Sequence, residues 1–143
     1  RDIKDAREIN VQNIIAPMIE SGYALKKYHR SIQLAFSEEE RKTINFFINI
    51  ETKAGFDNLD EIFNTPAFED IDGVVFGRSD MCESLNLSCE EINSDKMLFY
   101  VKTVAQKTFE RKKSFILGGK INCLSLPFIN QLPKVEKPEN RIF

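Results

Sequence analysis

Two acidic residues sit where apolar runs stop. Glu51 ends Phe46-Phe47-Ile48-Asn49-Ile50, and Asp80 closely follows Val74-Val75-Phe76 through Gly77-Arg78-Ser79. Both runs are short and rich in β-branched and aromatic residues, as buried strands are, and the segment between them reads as one helix with its loops. A strand–helix–strand crossover returns parallel, and neighbouring strands lie about 4.8 Å apart, so both carboxylates should leave the same sheet edge. Carboxylates held that close repel each other unless a cation sits between them. A hard divalent ion resolves the repulsion, because Mg²⁺ accepts one or two carboxylates and keeps positions for water and substrate oxygens. The competing reading makes Glu51 a cap for the next helix and Asp80 a turn residue, since acids are favoured at helix starts.

Little else in the chain competes for a chemical role. His29 is the only histidine and has no cysteine or serine partner in a recognisable motif, so it reads as a surface residue rather than a triad member or metal ligand. Cys82, Cys89 and Cys123 are odd in number and lack zinc-site spacing, so reduced structural thiols are expected. A net charge of −2 supplies no general attraction to nucleic acid or to an anionic membrane. No apolar stretch approaches the roughly 20 residues of a membrane span, and the charged start is not a secretion signal, so a cytoplasmic location is expected. The length of 143 residues suits one domain, and 42% hydrophobic content with 12 phenylalanines is enough for a core.

The elements that must hold the two acids alternate. The end of a helix over Asp2 to Asn10 leads to a strand within Val11 to Met18, which Pro17 should terminate. A helix follows over Tyr23 to Phe36, and then a polar link, Ser37-Glu38-Glu39-Glu40-Arg41, that can cap a short turn. After the strand ending at Glu51 come a helix in Phe56 to Phe63 and the strand ending near Gly77. Ser88-Cys89-Glu90-Glu91 fits a capping box ahead of a long helix through Met97, Tyr100, Val101, Val104 and Phe109. Ser114 to Leu117 is a further strand, closed by Gly118-Gly119; a short helical stretch from Asn122 to Leu132 and a last strand at Arg141-Ile142-Phe143 complete the order. This alternation implies a parallel sheet flanked by helices, either doubly wound or a (β/α)₈ barrel. About five strands is too few for a closed eight-stranded barrel of typically about 250 residues. A helix fragment at Arg1 and a strand at Phe143 favour a piece of a longer protein over an open sheet.

With Ala16-Pro17-Met18-Ile19-Glu20, Asn49-Ile50-Glu51-Thr52 and Gly77-Arg78-Ser79-Asp80-Met81 ending three strands in that order, the chain resembles the HpcH/HpaI aldolase and citrate lyase β-subunit family of class II 2-oxo-acid aldolases. Leu117-Gly118-Gly119-Lys120 and the tail Glu139 to Phe143 resemble a less characterised branch of it. The resemblance implies an α/β, (β/α)₈ TIM-barrel-type fold with about strands 4 to 8 present, residues 1–143 forming one partial barrel domain without its N-terminal strands. It places Glu51 and Asp80 on the family's Mg²⁺ or Mn²⁺ ligands, and Gly77, Arg78, Ser79 and Asp80 where the substrate's carboxylate is held. In the family, the metal polarises the carbonyl of a 2-oxo acid and stabilises the enolate formed as a carbon–carbon bond breaks or forms, which suits a charge developing beside a fixed cation.

Three departures from the family pattern bear on this chain. Asn49 stands where aldolases carry glutamine, a shorter amide that can still orient substrate or a metal-bound water, so it is a candidate catalytic residue. Arg78 replaces a proline; it either adds a catalytic, carboxylate-binding cation or makes a surface salt bridge, and both readings stay open. The family's catalytic arginine, and the aldolases' histidine, come from earlier strands that this chain does not contain. Met18, where the citrate lyase branch carries lysine, tilts the comparison toward aldolases. Glu20 is expected to cap the helix starting near Ser21 rather than join the site. Gly118-Gly119 serves either the close approach of a ligand or a tight turn. The leading expectation is a metal-dependent carbon–carbon lyase for a small 2-oxo or hydroxy acid, without nucleic-acid or membrane partners, and a homo-oligomer because a partial barrel leaves strand edges unpaired. The alternative is a noncatalytic barrel-family binding or assembly module. Nucleotide binding ranks last, for want of a G-x-G-x-x-G or Walker loop.

Overall fold

The computed structural model describes residues 2–133. Four strands, β1 (Asn13–Ala16), β2 (Asn45–Ile50), β3 (Gly73–Gly77) and β4 (Ser114–Gly118), form one sheet in the order β1-β2-β3-β4, and every pair is parallel. A doubly wound sheet reverses its strand order at a switch point. No reversal occurs here, so the sheet is an arc of a barrel. The strand expected at Arg141 to Phe143 lies outside the described residues.

α1 (Asp2–Glu8) precedes β1, helices fill each crossover, namely α2 (Gly22–Ala35), α3 (Glu38–Arg41), α4 (Lys53–Asp57), α5 (Leu59–Phe63), α6 (Arg78–Ser84) and α7 (Asp95–Glu110), and α8 (Leu126–Ile129) follows β4. The polar link after α2 does cap a turn: Ser37 and Glu40 form a reciprocal capping box at the start of α3. Two boundaries differ from the sequence reading. Thr52 caps α4, which starts at Lys53, three residues ahead of Phe56, and the helix expected to run unbroken to Phe63 divides at Asn58, whose side-chain amide donates to the Glu20 carbonyl at 2.8 Å. The Ser88–Glu91 box closes a separate 3₁₀ turn at Cys89–Asn93, whereas the long helix α7 starts at its own cap, Ser94, which accepts from the Met97 amide at 3.2 Å. A capping box reports a helical turn, and one turn is all that follows before Ser94 restarts the chain.

Alternation along the strands sorts residues onto two faces. Phe46, Ile48, Ile50, Val74, Phe76, Phe115 and Leu117 pack with Leu25 and Ile32 of α2, Ile62 of α5 and Val101 and Val104 of α7 in one core cluster, most of them fully buried. Ile15, Phe47, Asn49, Val75 and Ile116 share the other face by register. None of these five belongs to that cluster, so the helices cover one side of the sheet. Among the described residues no helix is long and apolar enough to cross a membrane.

Candidate active site

β2 and β3 run parallel with Ile50 paired to Phe76, which brings Glu51 beside Gly77 at the C-terminal edge. α6 begins directly after β3, so Asp80 falls in its first turn, where the helix dipole favours a negative charge. The two carboxylates meet over Gly77. A methyl group on Gly77 would lie 2.7 Å from Glu51 Oε2 and 3.6 Å from Asp80 Oδ2, so both oxygens border one small volume that a larger side chain would fill. This is the juxtaposition that the strand–helix–strand spacing leads one to expect.

Glu51 is 6% exposed and held from two sides. Oε1 accepts the Met18 backbone N–H at 2.9 Å and Oε2 accepts the Asn49 side-chain N–H at 2.8 Å. Met18 reaches Glu51 by adopting φ +48, a conformation uncommon for a residue with a side chain, just after Pro17 ends β1. Asn49 is fixed in turn, because its carbonyl accepts the Ile19 amide at 3.1 Å. Its side-chain Oδ1 is buried with no hydrogen-bond partner. An orphaned acceptor beside an oriented carboxylate calls for a donor or a cation that the described residues do not supply. Asp80 is exposed and has neither an ion pair nor a hydrogen bond among the described residues.

This donor set fits a hard cation. Both side chains are oxygen ligands, no basic group pairs with either among the described residues, and the Asn49 acceptor lies next to Glu51. No group of three or more His, Cys, Asp or Glu side chains suited to a metal occurs among the described residues. Water and substrate oxygens would therefore complete the shell, as is usual for Mg²⁺.

The remaining candidates fall in different places. Glu20 does not cap α2; Ser21 does, accepting from Ala24, while the Glu20 carboxylate accepts the Thr52 hydroxyl at 2.7 Å and so braces the residue after Glu51. The short hydroxyl of Ser21 can fold back on its own helix, whereas Glu20 reaches across to α4. Arg78 is neither a solvent-facing cation nor a surface salt bridge. It is fully buried, its Nε and a terminal nitrogen donate to the Gly118 and Gly119 carbonyls at 3.2 and 2.5 Å, and its other terminal nitrogen donates to Asn93 Oδ1 at 2.8 Å. Its guanidinium also lies 5.2 Å from the centroid of the Phe128 ring, and burial pulls its pKa below the usual arginine value. Gly119 is the tight turn, with φ +86, and a methyl on it would come within 2.7 Å of the Ser79 amide nitrogen and 3.0 Å of that of Arg78. The Met18 amide, Asn93 and Phe128 were not foreseeable as partners, because nothing in their local sequence marks a contact across such distances along the chain.

Away from this edge, a cleft of about 410 Å³ opens by the N-terminal ends of β2 and β3, lined in part by His29, Arg41, Asn45, Asp70 and Asp72. His29 is not a free surface residue: it is half-buried, with Nε2 2.5 Å from Asp70 Oδ2. The three cysteines are free, and burial raises the pKa of the Cys82 thiol above its ordinary value.

Comparison with known proteins agrees with this architecture. The crystal structure of the citrate synthase SbnG has the same fold at a TM-score of 0.73 and 17% identity, over 92% of this chain and 57% of that one. The chain thus spans less than two thirds of that neighbour. No curated protein sequence matches it. Residues 1–116, which include β1 to β3, both carboxylates and most of β4, match the sequence model of a single family, and the chain belongs to it: HpcH/HpaI aldolase/citrate lyase.

Proposed function

We propose that this chain carries the metal-binding part of a carbon–carbon lyase site of the HpcH/HpaI aldolase type, within one partial barrel domain at residues 1–143. The observation that carries the reading is the convergence of Glu51 and Asp80 over Gly77, with no basic side chain paired to either among the described residues. Glu51 and Asp80 would hold Mg²⁺ or Mn²⁺. When bound, the ion supplies positive charge where negative charge develops on a 2-oxo acid as its carbon–carbon bond breaks or forms.

The chain's own groups prepare that site before any ligand arrives. The Met18 amide and the Asn49 side chain keep the Glu51 carboxylate in one orientation, so its position costs no reorganisation during reaction. Asn49 Oδ1, buried and unpartnered, is the acceptor available to a water or a substrate hydroxyl. Gly77, Ser79 and Asp80 form the wall against which the carboxylate of a small 2-oxo or hydroxy acid would rest. Arg78 supports that wall from behind and does not touch the acid.

Calorimetric titration of the chain with Mg²⁺ and with Mn²⁺ tests the reading. Asp80→Asn is expected to weaken binding more than about 100-fold, beyond the 10–100-fold typical of losing a residue that only supports a ligand. Equal affinity in both proteins would return Asp80 to turn chemistry. The family's arginine is not available from this chain, and losing one transition-state stabiliser costs about 10²–10³ in rate. Pyruvate release from 4-hydroxy-2-oxo acids by the chain alone is therefore expected to be slow, and sedimentation is expected to show an oligomer that covers its strand edges. Fast turnover by a monomer would overturn the partial-site reading.

A further inference from the structure

Arg78 is the largest fully buried side chain and the only charged one among the described residues with no exposed surface. No acid pairs with it among the described residues, and its charge is met by two carbonyls, one side-chain amide oxygen and the face of Phe128. Burying a guanidinium without a counter-charge is costly, and an apolar side chain of similar volume often packs at such a place at least as stably. Stability alone therefore does not account for an arginine here. Its partners point to geometry: its hydrogen-bond acceptors lie 15, 40 and 41 residues further along the chain in two segments, the Phe128 ring adds a third, and all converge on the first residue of α6.

We propose that Arg78 is a positioning residue, whose guanidinium clamps the Gly118–Gly119 turn, Asn93 and Phe128 against the start of α6 and so holds Ser79 and Asp80 at a fixed place opposite Glu51. The inference rests on the site reading given above and adds to it a residue that acts without touching the substrate. Lysine could not substitute fully, because a single ammonium lacks the planar fork that serves three acceptors in different directions. Gly119 fits the same device. It lies so close to the amides of Arg78 and Ser79 that a methyl group could not be added, and the clamp keeps it there. Past the ladder pair Gly77–Gly118, the hydrogen bonds from Arg78 are the ones that join this turn to α6 among the described residues.

The test compares the intact chain with Arg78→Met and Arg78→Lys in two measurements. The first is amide hydrogen exchange. Arg78→Met is expected to speed exchange at Ser79 and Gly119 about tenfold or more, while Ile48 and Ile50 are unchanged, and Arg78→Lys is expected to fall between. The second uses Mn²⁺ and pyruvate as probes, with the bound ion followed by electron paramagnetic resonance. Arg78→Met should weaken Mn²⁺ binding about tenfold, less than Asp80→Asn, because Asp80 is loosened while both contacts that orient Glu51 remain, and should weaken pyruvate binding about tenfold as well, with partial recovery of both in Arg78→Lys. Unchanged exchange overturns the clamp. Faster exchange with wild-type pyruvate affinity overturns the positioning role. If the wild-type chain binds neither probe, the metal reading of the site fails, while the exchange pattern still decides the clamp. Should Arg78→Met fail to fold, Asn93→Ala removes one acceptor only and should raise the same two exchange rates about threefold; no rise would overturn the clamp as well.

Discussion

The two faces of the sheet are built from the same strands and do opposite work. On one, Ile48, Ile50, Val74 and Phe76 are sealed by helices, with no exposed surface. On the other, Ile15 is 48% exposed, Phe47 and Val75 stand outside the core cluster, and a buried amide oxygen on Asn49 has no partner. Polar groups left unsatisfied and φ values forced positive are poor for stability and useful for binding. In this protein the unpartnered Asn49 oxygen lies on the open face, and Met18 and Gly119, both at positive φ, lie at its C-terminal edge. The covered face holds the strands in place so that the open one can present its carboxylates.

The largest expected effect comes from breaking the covered face. Phe76→Ala should lower the unfolding free energy by about 3–5 kcal/mol, the usual cost of removing a buried phenylalanine, measured by urea denaturation. A loss under about 1 kcal/mol would mean that the helices do not close on this face as described.

Gly77→Ala attacks the edge where the faces meet. The added methyl would fall 2.7 Å from Glu51 Oε2 and 2.8 Å from Glu51 Cβ, so it should cost about 1–3 kcal/mol and reduce Mn²⁺ affinity about 10–100-fold by displacing the carboxylate. Wild-type Mn²⁺ affinity in a folded Gly77→Ala protein would show that Glu51 is not held where the ion binds.

Tyr28 supplies a pH test confined to the covered side. Its hydroxyl donates to the Ile14 carbonyl at 3.1 Å, and burial, aided by the nearby Asp72 charge, raises its pKa well above the ordinary tyrosine value. A phenol whose folded pKa is raised contributes stability that is fully present below its unfolded pKa of about 10 and is lost as pH rises from there toward the folded value. Stability should therefore fall in strong alkali, and Tyr28→Phe should flatten that fall at a cost near neutral pH of about 1 kcal/mol for the lost hydrogen bond. An alkaline slope equal in both proteins would rule Tyr28 out as its source.

The smallest effect is expected on the open face. Ile15→Ala should change stability by less than about 0.5 kcal/mol, since half of the side chain is already in water. A loss of several kcal/mol would mean that another copy or further chain covers this face, and would turn the comparison from open against closed into two buried faces.

Much of this was legible in the order of residues. Strands ending at Ile50, Gly77 and Gly118 show as short aromatic and β-branched runs because strand propensity and burial act on the same residues, and Pro17 marks the end of β1 because it cannot continue the ladder. Parallel pairing follows from the intervening helices, so the meeting of Glu51 and Asp80 at one edge could be expected from spacing alone. The choice between a doubly wound sheet and a barrel arc could not, because strand order is set by which neighbour each strand meets in space. The same limit applies to Arg78. Its type announces a cation, and a cation could face a substrate, a surface acid or the interior. Only the tertiary structure, by bringing Gly118, Gly119, Asn93 and Phe128 around it, decided that its charge is met in the interior by two backbone carbonyls, a side-chain amide oxygen and an aromatic face. The division between α4 and α5 at Asn58 has the same cause: local propensity allows an unbroken helix, and a hydrogen bond from Asn58 to the Glu20 carbonyl, 38 residues earlier in the chain, accompanies the break.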